Sequence, residues 1–179
     1  VAVGIIINVV TTTGIGNAFS LMIVEWAQGS LFITLVLVAL ASLVLGMGLP
    51  VTASYIVLAT LSAPLIYDLI SQSALLDAIL IGIQAGDLPN NVAATLSLFG
   101  GDPLIALQEM PLEMKQLIRQ EMLPSELLTG MLLSAHLIIF WLSQDSNVTP
   151  PVCLASFAAA GIAGTNPMAT GLTSWKVAK

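Results

Sequence analysis

Apolar residues run through this chain in stretches longer than the elements of a soluble domain. No charged residue occurs from Ala27 to Tyr67, from Leu127 to Gln144 or from Ser146 to Trp175. Each stretch is long enough to cross a hydrocarbon core about 30 Å thick, which takes about 20 helical residues. An earlier apolar segment, Val1 to about Ile23, is dented by "TTTGIGN" (Thr11 to Asn17). β-Branched residues and glycine both have low helix propensity, so a weak point is expected there. Glu25, Trp26 and Gln28 then mark a water interface with Trp26 as a headgroup anchor, and Ser30 is an N-cap for the next helix.

That helix, about 31–45, is roughly 22 Å long at about 1.5 Å per residue, too short to span comfortably. It stops at "GMGLP" (Gly46 to Pro50), and a second short helix is expected from about Thr52 to Leu65, ending near Pro64 and Asp68. The two read as the arms of a re-entrant hairpin or as one long broken helix. Their combined length, roughly 50 Å, exceeds a single span and favours the hairpin.

Polar positions return between Asp68 and Glu126, where eight of the ten acidic residues lie together with Lys115 and Arg119. "GDLPNN" and "FGGDP" are turn signals. Within this insert, "LLDAILIGIQAG" and "DPLIALQEMPLEMKQLIRQEML" carry apolar residues at helical spacing on one face and are expected to be amphipathic helices lying on the membrane or on neighbouring protein. Asp102 is the expected cap of the second, Pro103 suits its first turn, and Pro111 should kink it. The chain thus divides into 1–67 (membrane helix plus re-entrant hairpin), 68–126 (amphipathic, aqueous insert) and 127–179 (a discontinuous transmembrane helix and the C-terminal end). In the last part "SQDSNVTPP" (Ser143 to Pro151) interrupts the apolar run, and "CLASFAAAGIAG" spaces small residues for close helix packing in lipid. Gly164 is the expected C-cap with Pro167 just beyond, while Lys176 and Lys179 point to a cytoplasmic end.

Composition sharpens this pattern. With 57% hydrophobic and 8% charged residues and a mean hydropathy of +0.99, the chain reads as an all-α integral membrane protein in the lipid bilayer. The net charge of −6 comes mostly from the insert, and no basic stripe exists to neutralise phosphates, which excludes a nucleic-acid partner. Cys153 is the lone cysteine, and no His, Cys, Asp and Glu set has metal-site spacing, so no cofactor is expected. The chain starts at Val1 inside an apolar run, without a basic n-region, and reads as an interior piece of a longer polypeptide.

Candidate chemistry sits at the two breaks. Backbone that leaves the helix inside hydrocarbon survives only where protein or a wet cavity satisfies it. Broken helices offer carbonyl and hydroxyl oxygens to a small cation and half-helix N-termini to an anionic group. At the first break Gly46 and Gly48 free carbonyls, Pro50 removes a donor, and Thr52 and Ser54 supply hydroxyls; at the second, Ser146, Asn147 and Thr149 do the same before Pro150 and Pro151. Hard cations prefer such oxygen shells. Asp145, an acid among apolar residues beside a break, is a cation ligand or a proton carrier. A Ser134/His136/Asp145 catalytic set fails because Ser134 and His136 project about 200° apart on a helix. His136 instead fits a packed side chain bonded to a neighbouring helix, and Met47, Met131, Phe140 and Trp141 read as packing residues.

"ASLVLGMGLPVTASYIVLATLSAPLI" and "AHLIIFWLSQDSNVTPPVCLASFAAAGIAGTNPMATG" resemble the large membrane (DctM-like) subunit of tripartite ATP-independent periplasmic (TRAP) transporters, nearest its fused-permease branch that works with TAXI-type binding proteins. The resemblance covers about 4–63 and 125–175, as part of the C-terminal repeat. It implies a multi-pass permease of the bacterial inner membrane, built as an inverted-repeat fold, that imports a small organic acid by symport. Its implied partners are a periplasmic solute-binding protein, a small membrane subunit that is fused in some members, and the remainder of the same permease. The implied coupling ion is Na+, with no other metal. Carried over, "GMGLPVT" would be the hairpin tip and "NVTPP" the unwound point facing it. Gly46, Gly48, Thr52, Asp145, Ser146, Asn147 and Thr149 would then hold the cation, with Pro50, Ser54, Pro150 and Pro151 near the substrate. The chain departs from the family pattern in its long insert and in Asp145, which opens H+ coupling beside Na+. The first repeat is absent, so this piece alone should not transport. A non-catalytic structural subunit is the competing reading, and an intramembrane enzyme the weaker third.

Overall fold

The computed structural model describes residues 2–46, 51–145, 147–151 and 153–178. All regular structure among them is helical, in the order α1 (Ala2–Thr13), α2 (Ile15–Ala27), α3 (Leu31–Gly46), α4 (Val51–Ala85), α5 (Asn90–Leu98), α6 (Pro103–Glu109), α7 (Leu112–Met122), α8 (Ser125–Asp145), α9 (Leu154–Ala163) and α10 (Pro167–Ala178). Two helices, α4 and α8, are long and apolar enough to cross a membrane. The chain forms two compact units, one of residues 1–66 with 135–179 and one of residues 67–134.

In the first unit the "TTTGIGN" dent is a real break, because Gly14 takes φ +69° between α1 and α2. Ser30 starts α3, its Oγ accepting from the Ile33 N–H at 3.5 Å. The 16 residues of α3 are about 24 Å long, short of a hydrocarbon core. Its inward residues, Thr34, Val38 and Ser42, recur every four positions, while Leu31, Phe32, Ile33, Val36, Leu40 and Val44 face outward and are exposed. Small and hydroxyl-bearing residues inside with large apolar ones outside is the reverse of a soluble helix. It suits helices packed in lipid, where close approach rather than burial of oil drives association.

The α9–α10 pair follows the same rule. Ser156 and Ala160 are buried, the Ser156 and Ser174 hydroxyls bond to each other, and Ile162 is 91% exposed. Gly164 closes α9 in the left-handed conformation at φ 64°. At Gly171 the Cys153 side chain packs so closely on α10 that a Cβ would lie 2.6 Å from Cys153 Sγ.

Helix α4 differs from the short arm that the sequence pattern predicts. It does not stop near Pro64 but runs 35 residues to Ala85, taking in "LLDAILIGIQA" rather than leaving it as a separate surface helix. A helical proline removes one N–H, here the donor that would serve the Thr60 carbonyl. Pro64 lies on the exposed side, and no glycine or second proline follows it before Gly82, so the helix continues. The acid expected to end it, Asp68, is instead buried and paired with Lys115 (3.2 Å) and Arg119. The Arg119 guanidinium also sits 5.2 Å from the Tyr67 ring centroid.

These contacts belong to the second unit, whose core is that of a small soluble fold. Leu75 and Ile79 of α4 pack with Val92, Leu96, Ala106, Leu107, Met110, Ile118 and Leu123. The insert helices bury one apolar face in this shared core, while Leu98, Leu104, Ile105 and Leu117 stay exposed. Asp102 caps α6 as expected, its Oδ1 accepting from Leu104 N (2.8 Å) and Ile105 N (3.3 Å). Pro111 separates α6 from α7.

Two cations share one carboxylate at Asp68, so the partners are unequal. Burial lowers the pKa of Lys115 from its ordinary 10.5, and the unfolded chain then holds that proton more tightly than the folded one in the alkaline window below 10.5. Folded stability accordingly rises with pH there, and removing this charge favours the folded insert. Asp68→Asn strands Arg119 and Lys115 in the interior and should cost about 3–5 kcal/mol, whereas Lys115→Met should change stability by less than about 1 kcal/mol. Thermal unfolding of the two variants in detergent checks this order. In the other unit, Gly171→Ala should destabilise by about 1–3 kcal/mol through overpacking, and adding Cys153→Ala should recover most of the loss. A double-mutant cycle on the melting midpoint measures that coupling.

Candidate functional site

The second break is described almost completely. Helix α8 ends at Asp145, and Asn147, Val148, Thr149, Pro150, Pro151 and Cys153 are non-helical before α9 begins at Leu154. The last carbonyls of a helix have no intrahelical donors, and the break supplies its own. Asn147 N donates to Gln144 O (3.1 Å) and Val148 N to Asp145 O (3.2 Å). Thr149 Oγ1 donates to the same Asp145 carbonyl at 2.7 Å, and Cys153 N donates to Thr149 O at 3.3 Å. The Pro150–Pro151 peptide is cis. Asp145, Asn147, Thr149 and Pro150 are half-buried and Pro151 is exposed. With its proton committed to a carbonyl, the Thr149 hydroxyl keeps oxygen lone pairs free to accept or to ligate. The Asn147 side chain and the Asp145 carboxylate bring further oxygens to the same short segment.

The first break is described only at its rims. Gly46 is the last residue of α3 and Val51 the first of α4; Gly48 and Pro50, like Met47 and Ser146, lie outside the described residues. Thr52 is exposed. Ser54 is fully buried, and its Oγ has no hydrogen-bond partner among the described residues. A serine in a helix ordinarily returns its hydroxyl to a carbonyl one turn back, as Ser134 and Thr129 do here. An unpaired buried hydroxyl costs free energy and marks a place where an oxygen ligand is unused.

Three contacts tie the rims of the first break to α8. Ser42, one turn before the end of α3, has a single hydroxyl proton to share between the Ala39 carbonyl of its own helix at 2.8 Å and the Leu142 carbonyl of α8 at 3.2 Å. Tyr55, one turn into α4, has its hydroxyl 3.1 Å from His136 Nδ1. The Tyr55 ring also meets Phe140 edge to face, with centroids 5.7 Å apart. Leu142 precedes Asp145 by three residues, or about 4.5 Å of helix. Both arms therefore meet α8 within a few turns of its unwound end.

His136 is thus the packed, cross-helix histidine that its pattern predicts. Ser134 faces away, exposed and bonded to Gly130 O at 2.8 Å, so the two are not assembled as a catalytic pair. Phe140 packs as expected, but Trp141 is 75% exposed rather than packed within the chain. Among the described residues no group of three or more His, Cys, Asp and Glu could hold a metal ion. A cation here would rest on backbone and hydroxyl oxygens with at most one acid.

Sequence reasoning missed Ser42 and Tyr55, which look like ordinary members of apolar runs, and Ser62, a second buried hydroxyl without a partner. Their only signal is that a hydroxyl within a lipid-exposed run must find a partner somewhere. The Asp68 cluster had a clearer one, since Lys115 and Arg119 are spaced four apart on the face that also carries the core residue Ile118.

The family model described as "Tripartite ATP-independent periplasmic transporter, DctM component" matches residues 1–178. No curated protein and no solved structure matches the chain.

Proposed function

Since the chain belongs to the DctM component family of tripartite ATP-independent periplasmic transporters, an integral membrane permease family and not an enzyme family, we propose that it forms part of a cation-coupled symporter. In this reading Na+ or H+ drives import of a small organic acid across the bacterial inner membrane. The acid is delivered by a periplasmic solute-binding protein, and the permease works with a small membrane subunit and the rest of its own chain. The α3–α4 break is the tip of a re-entrant hairpin, and the α8–α9 break is the unwound point that faces it.

The observation that carries the reading is that both rims of the first break contact α8, Ser42 at Leu142 near its end and Tyr55 at His136 about two and a half turns earlier. In this reading the two irregular segments share one wet cavity or ligand, which satisfies their backbone groups in hydrocarbon. Gly46, Gly48, Thr52, Asp145, Ser146, Asn147 and Thr149 offer oxygens of the hard kind that an alkali cation accepts. Pro50, Ser54, Pro150 and Pro151 border the same place, where the first turn of α4 presents unpaired N–H groups to a carboxylate. Asp145 is the one acid at the site, and its protonation is what would let H+ replace Na+.

The test is uptake by the full-length permease, reconstituted with its small subunit and binding protein in proteoliposomes. Uptake should collapse without a Na+ or H+ gradient. Thr149→Ala should raise the half-saturating cation concentration about tenfold, the loss of one charge-assisted contact of roughly 1.5 kcal/mol. Asp145→Asn should do the same for Na+ coupling and abolish any dependence on a proton gradient. Uptake indifferent to both gradients and to both substitutions would leave the breaks as packing kinks in a structural subunit.

A further inference from the structure

We propose that Tyr55 and His136 are the positioning residues of this site, their hydrogen bond fixing the rotation and depth of α4 against α8 and so the geometry in which the two breaks share a cation; this rests on the two-break reading above.

Tyr55 is four residues into α4, next to the buried Ser54, which has no partner among the described residues, and three residues from Thr52. Within a helix these side chains move as one body, so whatever holds Tyr55 sets where both hydroxyls point. Its own hydroxyl is held by His136 Nδ1 at 3.1 Å. Its ring is held on the same helix by His136, with centroids 6.4 Å apart and planes at 62°, and by Phe140, at 5.7 Å and 81°. Two edge-to-face aromatic contacts and one directional bond define an orientation that aliphatic packing alone would leave free to slide.

The chemistry is selective for the same reason. An imidazole inside a candidate membrane span is costly unless it is paired, so α8 gains from meeting α4 in the single register that brings the phenol to Nδ1. His136 lies nine residues before Asp145, about 13.5 Å along the helix, too far to serve as a ligand beside Asp145. Neither residue is therefore assigned to the cation. Ser42 and Leu142 tie the other arm of the break to α8, so the pair closes the second of two anchor points.

Tyr55→Phe keeps the ring and its contact with Phe140 and removes only the hydroxyl. In the reconstituted full-length transporter it should raise the half-saturating Na+ concentration about fivefold to tenfold at the pH of maximal uptake. The maximal rate at saturating Na+ should stay within about twofold, and the melting midpoint should hardly move. His136→Phe should give the same split, and Tyr55→Phe with His136→Phe should be no worse than either alone, because both remove one shared interaction.

A Tyr55→Phe half-saturation equal to wild type, in a transporter whose uptake still needs the gradient, would overturn the positioning role and leave the two-break site standing. So would strictly additive effects, or a loss of maximal rate with unchanged half-saturation. Wild-type uptake that needs no cation gradient would instead overturn the site itself and this inference with it.

Discussion

In hydrocarbon an N–H or carbonyl without a partner costs several kcal/mol, and the departure from helix after α8 is arranged around that cost. At the end of α8 the chain leaves the helix and at once returns Asn147 and Val148 N–H groups and the Thr149 hydroxyl to the freed carbonyls. Ser42 shares its hydroxyl proton between its own helix at Ala39 O and a carbonyl of a different helix, Leu142 O. The break is therefore a structured turn with its own hydrogen bonds. The Thr149 hydroxyl, which donates there, still has its lone pairs for a second contact.

The same constraint inverts the usual polarity of the packing. In α3 and in the α9–α10 pair the buried positions are small or carry hydroxyls, and the outward positions are large and apolar. Most of the buried hydroxyls return to their own helix, as Thr34 does to Ser30 O and Ser71 to Tyr67 O. Ser54 and Ser62 are exceptions, and Ser54 lies one turn from the first break. The second unit obeys ordinary rules, with an apolar core from α4 to α7 and its surplus of buried positive charge gathered on Asp68.

Membership in a permease family gives these features a common sense. A transporter must hold irregular backbone at membrane depth and yet keep its oxygens in register. Pairing a phenol with an imidazole across α4 and α8 provides register without supplying a ligand. Separating the two roles would leave the oxygens of the breaks free to tune which ion they hold while the aromatic cluster keeps the helices aligned.

Much of this was legible in the residues. Charge-free runs of sufficient length, the glycines and prolines of the two breaks, the weak point at Gly14, the Asp102 cap, the Gly164 stop and the cross-helix character of His136 all follow from local propensities and from the cost of polar groups in lipid. Those are properties of a segment and its solvent, which the sequence carries whole. The length of α4 was not legible, because Pro64 and Asp68 read locally as a stop. Only the folded chain turns the proline outward and places Lys115 and Arg119, 47 and 51 residues later, against the acid. Likewise nothing in the pattern around Ser42 or Tyr55 announces Leu142 or His136, since such pairs depend on which helices meet and at what rotation. The sequence by itself determined most of the helical segments, the places of the two breaks and which oxygens they offer; the tertiary structure decided how far α4 runs and which distant groups neutralise or hold its polar residues, because charge pairing and helix register are set between elements and not within them.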